Sequence, residues 1–256
     1  MIYLLTYENW KNDYTSAPHI KNINIDELKS LLKTTHSNYM CAKSNMFRGI
    51  SNDKFYTNIN IVDPTQITRQ SPWASGNMHN TILSNSPLWK EFPRRNKSII
   101  FDFNSIGHVG KEFRVIPEND AILGVCPKND LWSCFPMDLN DFFNDFINDI
   151  FKQYIDDYND KLAQTNYNYI LQCIKKIDDI DYNKIEHDFG FYISKLLKRN
   201  KSLSEIINDF INPMKNKFKT IKYDKDFFFD SDVEGWTESK CIIVEPEILD
   251  NIDIFK

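Results

Sequence analysis

Glycine is scarce in this chain, with 7 in 256 residues, and none of them falls into a GxGxxG or GxxxxGK[ST] run. Rossmann-type dinucleotide loops and phosphate-cradling P-loops are therefore not expected, because both need glycine where backbone amides close on a pyrophosphate. A GxSxG nucleophile turn is also missing. The five histidines, His19, His36, His79, His108 and His187, have no spacing that would set a base beside a nucleophile, and only His79, between Asn77 and Asn80, lies in a suggestive loop. Serine or cysteine hydrolysis is thereby disfavoured. The five cysteines, Cys41, Cys126, Cys134, Cys173 and Cys241, are odd in number, widely spaced and free of any CxxC pair. They read as buried thiols, not as a disulfide framework or a zinc site. No apolar run is long enough to cross a bilayer. The opening "MIYLLTY" lacks a basic start and a cleavage site, so it reads as a strand in a cytoplasmic protein and not as a secretory signal. A basic excess is absent too: the formal net charge of -5 leaves only the local patch "PRRNK", residues 93–97, to attract nucleic acid.

Aromatic residues, by contrast, are plentiful. With 19 Phe, 12 Tyr and 5 Trp in a chain that is 41% hydrophobic, a sizeable core is expected and a disordered chain is excluded. A length of 256 residues allows one large domain, or one domain carrying an insertion. The abundance of Asn, Lys and Ile points to an AT-rich genome, which suits a bacterium, a phage or another virus.

The hydrophobic period changes twice along the chain. Up to about Pro136 the apolar runs are short and β-like: "YLLTY", "NINIV", "SIIFDF", "EFRVI" and "AILGVC", separated by Gly, Pro, Asn or Asp. One helix is expected in this part, at "NIDELKSLLKTTH", with Ile25, Leu28, Leu31 and Leu32 on one face and Asn24 or Asp26 as cap. From residue 138 to about 217 the period becomes helical, with stripes such as Phe143, Phe146, Ile150 and Tyr154, and a capping-box spacing at Ser202 and Glu205. Strand character then returns at "FKTIKY" and "CIIVEP". The domain reading is a β domain formed by residues 1–137 and 218–256, interrupted by a helical insertion at 138–217.

The segment "FDSDVEGWTESKCIIVEP" raises the functional question, since Asp230, Asp232, Glu234 and Glu238 crowd around one Gly and one Trp just before a buried strand. Earlier in the chain, "MFRGIS" sets Arg48 beside Gly49 at what reads as a strand end, where an Arg can fork onto a phosphate and a Gly lets a ligand approach the backbone. "TRQSPWASGNMHN" adds Arg69 and Ser71 in a polar loop.

Taken in order, an Arg-Gly at an early strand, the "SIIFDFN" strand preceded by basic residues, a strand ending in a Pro turn, and a late acidic step into "KCIIV" resemble the Arg-Ser-Glu class of ADP-ribosyltransferases. The pattern is similar to phage-type members, in which a strand like "YRVIP" is followed by "IGVCP" and a late acidic-Trp segment. It covers roughly residues 39–132 and 230–244. The resemblance implies an α+β fold, a split β-sandwich of ADP-ribosyltransferase type carrying the helical insertion. It also implies NAD as the substrate that donates ADP-ribose. By the same resemblance Arg48 would contact the NAD phosphates or ribose and Gly49 the nicotinamide amide, while Glu234 would be the catalytic carboxylate that binds the nicotinamide ribose and stabilises the oxocarbenium-like transition state, and Asp232 would receive the target side chain. The middle motif departs from the family: where it has Ser-Thr-Ser, this chain has Asp102, Phe103 and Asn104, so Ser98 or Ser71 would have to supply a hydroxyl.

Elementary chemistry gives these residues independent sense. Breaking the bond between nicotinamide and ribose builds positive charge on the sugar, which a fixed carboxylate such as Glu234 stabilises far better in a water-poor pocket than in solvent. Nicotinamide leaves as a neutral molecule and needs no acid. The pyrophosphate needs a fixed cation, for which Arg48 and Arg69 are the candidates, and no metal is demanded. The expected activity is transfer of ADP-ribose from NAD to a macromolecular acceptor, protein rather than nucleic acid, as a phage or bacterial effector would do to a host target. The alternative is a non-catalytic binding or inhibitor protein that acts through its helical insertion on a degenerate transferase scaffold.

Overall fold

The computed structural model describes residues 20–50, 57–66, 83–103, 110–135, 208–209 and 211–253. Outside these lie the expected first strand in "MIYLLTY", the loop that carries Arg69 and Ser71, Asn104, and the helical stripes between residues 138 and 207.

Nine described strands make one sheet in which every pairing is antiparallel. In chain order they are β1 (Ile20–Asn22), β2 (Met46–Ile50), β3 (Ile59–Val62), β4 (Ile99–Phe103), β5 (Lys111–Pro117), β6 (Ile122–Val125), β7 (Lys219–Lys222), β8 (Glu234–Thr237) and β9 (Cys241–Val244). Their order across the sheet is β1-β3-β9-β5-β2-β4-β8-β6-β7. Two short helices, α1 (Ile25–Lys33) and α2 (Pro246–Asn251), accompany the sheet, which makes the described part α+β. No described helix is long and apolar enough to cross a membrane.

Most strands follow the runs of β-branched and aromatic residues that mark them in the sequence. The acidic segment behaves differently. It reads as a loop leading into "CIIV", yet Glu234 to Thr237 form a strand of their own, every residue of it buried. It turns through Glu238, Ser239 and Lys240 into β9, but β8 and β9 do not pair: β8 lies between β4 and β6, and β9 between β3 and β5.

Register decides which face each side chain occupies, because paired residues of antiparallel strands share a face and neighbours along a strand alternate. One face carries Met46, Phe101, Phe103, Phe113, Val115 and Ile243, closed over by Tyr223, Phe227 and Val233. The other carries Ile59, Ile116, Ile242 and Val244 at the β3-β9-β5 side, and there α1 and α2 dock through Leu28, Leu32 and Leu249. The side chain of Asn24 caps α1 by accepting from the Glu27 amide at 2.9 Å, as a short polar N-cap residue should. Ile25, expected on the apolar stripe, is half exposed, because it sits in the first turn, where the helix leaves the sheet.

At the β4-β8-β6 side, aromatic residues from separate segments meet Trp236. Phe92 stacks on it with ring centroids 6.2 Å apart, and Trp89 and Phe218 approach at 6.4 and 6.3 Å. Phe135 packs on Phe218 at 5.5 Å, so the residues flanking the 138–217 stretch come together beside β8. Gly124 is required for this packing: a Cβ built there would lie 2.3 Å from Cε2 of Trp236.

Candidate functional site

A single row of residues crosses the sheet where the sequence motifs meet. Arg114 on β5 pairs in register with Phe47 on β2, Phe47 with Asp102 on β4, and Asp102 with Glu234 on β8. The Cys126 amide, just past β6, donates to the Glu234 carbonyl at 2.9 Å and extends the row. Two carboxylates thus occupy directly paired positions on neighbouring strands, and both are buried, Asp102 at 5% and Glu234 at 4% exposure. Like charges set side by side work against a sheet, so this pairing needs a compensating group.

That group for Glu234 is Arg95, from the 3-10 turn Arg95–Lys97. Its Nη2 lies 2.6 Å from Oε1 of Glu234, with both side chains 6% exposed. The guanidinium also sits 5.2 Å from the Trp236 ring centre, in cation-π range, and Trp236 in turn donates its Nε1–H to the Pro93 carbonyl at 2.8 Å. One residue earlier, Arg94 holds Glu238 through Nε at 2.9 Å and Nη2 at 2.6 Å, both to Oε2, and its backbone N–H bonds the same carboxylate. The "PRRNK" patch thus sets both arginines against the acidic segment. Of the four carboxylates, Asp230 and Asp232 remain exposed, Glu238 is clamped and Glu234 is sealed.

One thiol borders the carboxylate. Cys126 Sγ lies 3.7 Å from Oε1 of Glu234, and burial above all pushes its thiol well up from the ordinary range. Cys134 is drawn down, chiefly by a hydrogen bond with Cys126.

The remaining expected residues are spread about this row. Arg48 sits one position from Phe47, so alternation sends its side chain to the face opposite Glu234. There it is half-buried and donates from Nη1 to the Ile100 carbonyl at 2.7 Å. Gly49 follows it on β2, opposite Glu112 of β5. Ser98 is buried, and its hydroxyl donates to the Arg94 carbonyl at 2.7 Å, closing the turn that presents Arg95. Arg69 and Ser71 lie outside the described residues. Asp232 stands two residues before Glu234, at the exposed approach to β8.

Sequence reasoning missed Arg95 as a site residue, although a basic pair 139 residues before an acidic one, counting Arg95 to Glu234, carries no local signal of contact. It also treated Asp102 only as a departure from Ser-Thr-Ser, whereas the register makes it the direct neighbour of Glu234. Among the described residues, no three His, Cys, Asp or Glu side chains gather as a metal set. Comparison of the chain with family models, with curated proteins and with solved structures finds no match.

Proposed function

We propose that the chain transfers ADP-ribose from NAD to a macromolecular acceptor, releasing nicotinamide, with Glu234 as the carboxylate that stabilises the developing charge on the ribose. The observation that carries this reading is the adjacency of three strands. The Arg-Gly strand β2, the middle strand β4 and the Glu strand β8 are separated by long stretches of chain yet lie side by side in the sheet. A site built from an early Arg-Gly, a middle strand and a late Glu requires that adjacency. On this reading the sheet is the core of a split β-sandwich of ADP-ribosyltransferase type, interrupted by the insertion at 138–217.

The surroundings of Glu234 suit an electrostatic role. A carboxylate buried in the sheet, 4% exposed as Glu234 is, interacts with a cationic sugar more strongly than one in water. Arg95 neutralises it in the closed arrangement, so NAD has to enter beside the pair and share the carboxylate with Arg95. Asp232, exposed at the approach to β8, is then the residue that meets the acceptor. Arg48 and Gly49 keep the NAD-binding roles that the family resemblance implies, Arg48 from the face opposite Glu234; Arg69 is the second candidate cation for the pyrophosphate, and Ser98 or Ser71 the candidate hydroxyl. The acidic balance of the chain favours a protein acceptor over nucleic acid, and an effector of phage or bacterial origin acting on a host target fits the composition.

A second reading, a non-catalytic binding protein on the same scaffold, is favoured by one specific observation. Glu234 is closed by Arg95 while the Ser98 hydroxyl serves a turn, which is how a retired site would look.

Incubation of the full chain with NAD in a host lysate, following nicotinamide release and label on macromolecules, separates the two. On the transferase reading Glu234→Gln lowers turnover per folded molecule by about 30- to 1000-fold, the equivalent of about 2–4 kcal/mol. Release at the background rate by the wild type, with no thermal shift in millimolar NAD, would leave the binding protein.

A further inference from the structure

β7 is the outermost described strand at its end of the sheet, and it is exposed along its length, with only Ile221 part-buried against the core. Backbone groups of a strand point alternately to its two sides, so one hydrogen bond fixes the phase of all of them. The Tyr223 amide, one residue past β7, donates to the Ala121 carbonyl at 2.8 Å. Ile221 and Lys219 therefore turn their N–H and C=O groups to β6, while Lys222 and Thr220 turn theirs outward. The Phe218 amide, in the same phase as Thr220, agrees: it donates to the Pro213 carbonyl at 2.9 Å and not to β6. The outward groups of Thr220 and Lys222 have no backbone partner among the described residues. A fringe of lysine borders them. Lys215, Lys217, Lys219, Lys222 and Lys225 are all exposed, in a chain whose formal net charge is -5. Lys215 is held by Asp209 and Lys222 by Asp120, whereas Lys217 and Lys219 enter no ion pair with a described residue.

We propose that the outer edge of β7 receives an acidic, extended segment of a partner protein as an additional strand. Thr220 and Lys222 each hold a donor and an acceptor in the outward phase, and main-chain pairing of this kind supplies the affinity in strand addition. Charge selects the occupant. A second copy of this chain would bring one lysine fringe against another, and edge lysines guard strands against such self-pairing. A segment with carboxylates opposite Lys219 and Lys222 and an apolar residue opposite Ile221 complements all three side chains. An antiparallel partner runs opposite to β7, so that segment reads Glu-Val-Thr-Glu from its N-terminal end. Nucleic acid would meet the lysines but would leave the outward amides and carbonyls of Thr220 and Lys222 without the repeating partners that a peptide backbone offers, which is why a protein segment is the occupant. The edge lies near the candidate site. Lys219 pairs with Val125 and Val125 with Gly235, the residue after Glu234, two strand spacings or about 10 Å away. The pairing itself holds on either reading of Glu234.

The test titrates the full chain into a fluorescein-labelled, amidated peptide, Thr-Glu-Val-Thr-Glu-Thr, at low salt and follows anisotropy. The expected result is a saturable rise. Thr220→Pro removes one outward N–H without changing charge and should weaken binding about tenfold or more, and Lys219→Glu should do the same by reversing a charge. The same peptide N-methylated at its four central residues keeps every carboxylate but loses its backbone donors, and it should not bind the wild type. That arm needs no variant and decides the matter if Thr220→Pro fails to fold. No rise with millimolar peptide overturns the proposal, and so does equal binding of the N-methylated peptide, which would leave only charge attraction. A single-stranded oligothymidylate that binds through Lys219 where the peptide does not would make the edge a nucleic-acid surface. A dimer in light scattering that Thr220→Pro dissociates would make the occupant a second copy. Either result overturns the acidic partner, and neither touches nicotinamide release, by which the transferase reading stands or falls separately.

Discussion

Replacing Arg95 with methionine keeps much of the side chain's length and removes its charge, leaving Glu234 in a pocket where solvent cannot take over. Both partners are 6% exposed and 2.6 Å apart, which places the pair in the buried regime. Removing one member of such a pair costs about 3–5 kcal/mol, mostly the burial of the charge left behind. Loss of the contact with Trp236 adds about 0.5–2 kcal/mol. Against this, Nε and Nη1 of Arg95 are buried without a hydrogen-bond partner, and deleting them returns about 1–3 kcal/mol. The net expectation for Arg95→Met is a loss of roughly 2–4 kcal/mol. The double variant Arg95→Met with Glu234→Gln buries no charge and should lose about 1 kcal/mol or less, so the cycle should yield a coupling energy of about 2 kcal/mol or more. Urea denaturation followed by tryptophan fluorescence measures all four corners. A single variant within about 0.5 kcal/mol of wild type, or a double variant equal to the sum of the singles, would refute the reasoning. The same logic bears on Glu234→Gln, which strands Arg95 and therefore lowers stability as well as turnover. Its rate has to be referred to the folded fraction.

Three further outcomes are expected. Burial lowers the His36 pKa from 6.5 to about 4, so the folded state refuses a proton that the unfolded chain accepts. Stability is therefore complete above about pH 6.5 and falls as pH drops toward 4, by roughly 2 kcal/mol between pH 7 and pH 5; urea titrations at the two pH values should show this, and His36→Gln should flatten the difference. Gly124→Ala drives a methyl group into the indole of Trp236 and should lower stability by about 1–3 kcal/mol, read as a fall in Tm; an unchanged Tm would mean that the indole is not seated there. Arg48→Ala should weaken NAD binding by about 1.5–3 kcal/mol in calorimetry, with Arg48→Lys restoring only part because an ammonium cannot fork; unchanged affinity with a lower Tm would make Arg48 a strut for the Ile100 carbonyl.

Local physics was legible in the sequence because it depends on neighbours. Short β-branched and aromatic runs such as "NINIV", "SIIFDF" and "CIIV" became strands close to where their composition put them, and Asn24 capped α1, since propensity and capping act within a few residues. The burial of Trp236 was legible too. Strand partners were not legible, because pairing is a choice among distant segments. Only the sheet decided that β8 lies between β4 and β6, that Asp102 stands beside Glu234, and that Arg95 reaches the carboxylate while Arg48 turns to the other face. Composition can tell that four acids and two arginines exist. Which of them meet is determined by register, where a shift of one residue moves a side chain from one face to the other.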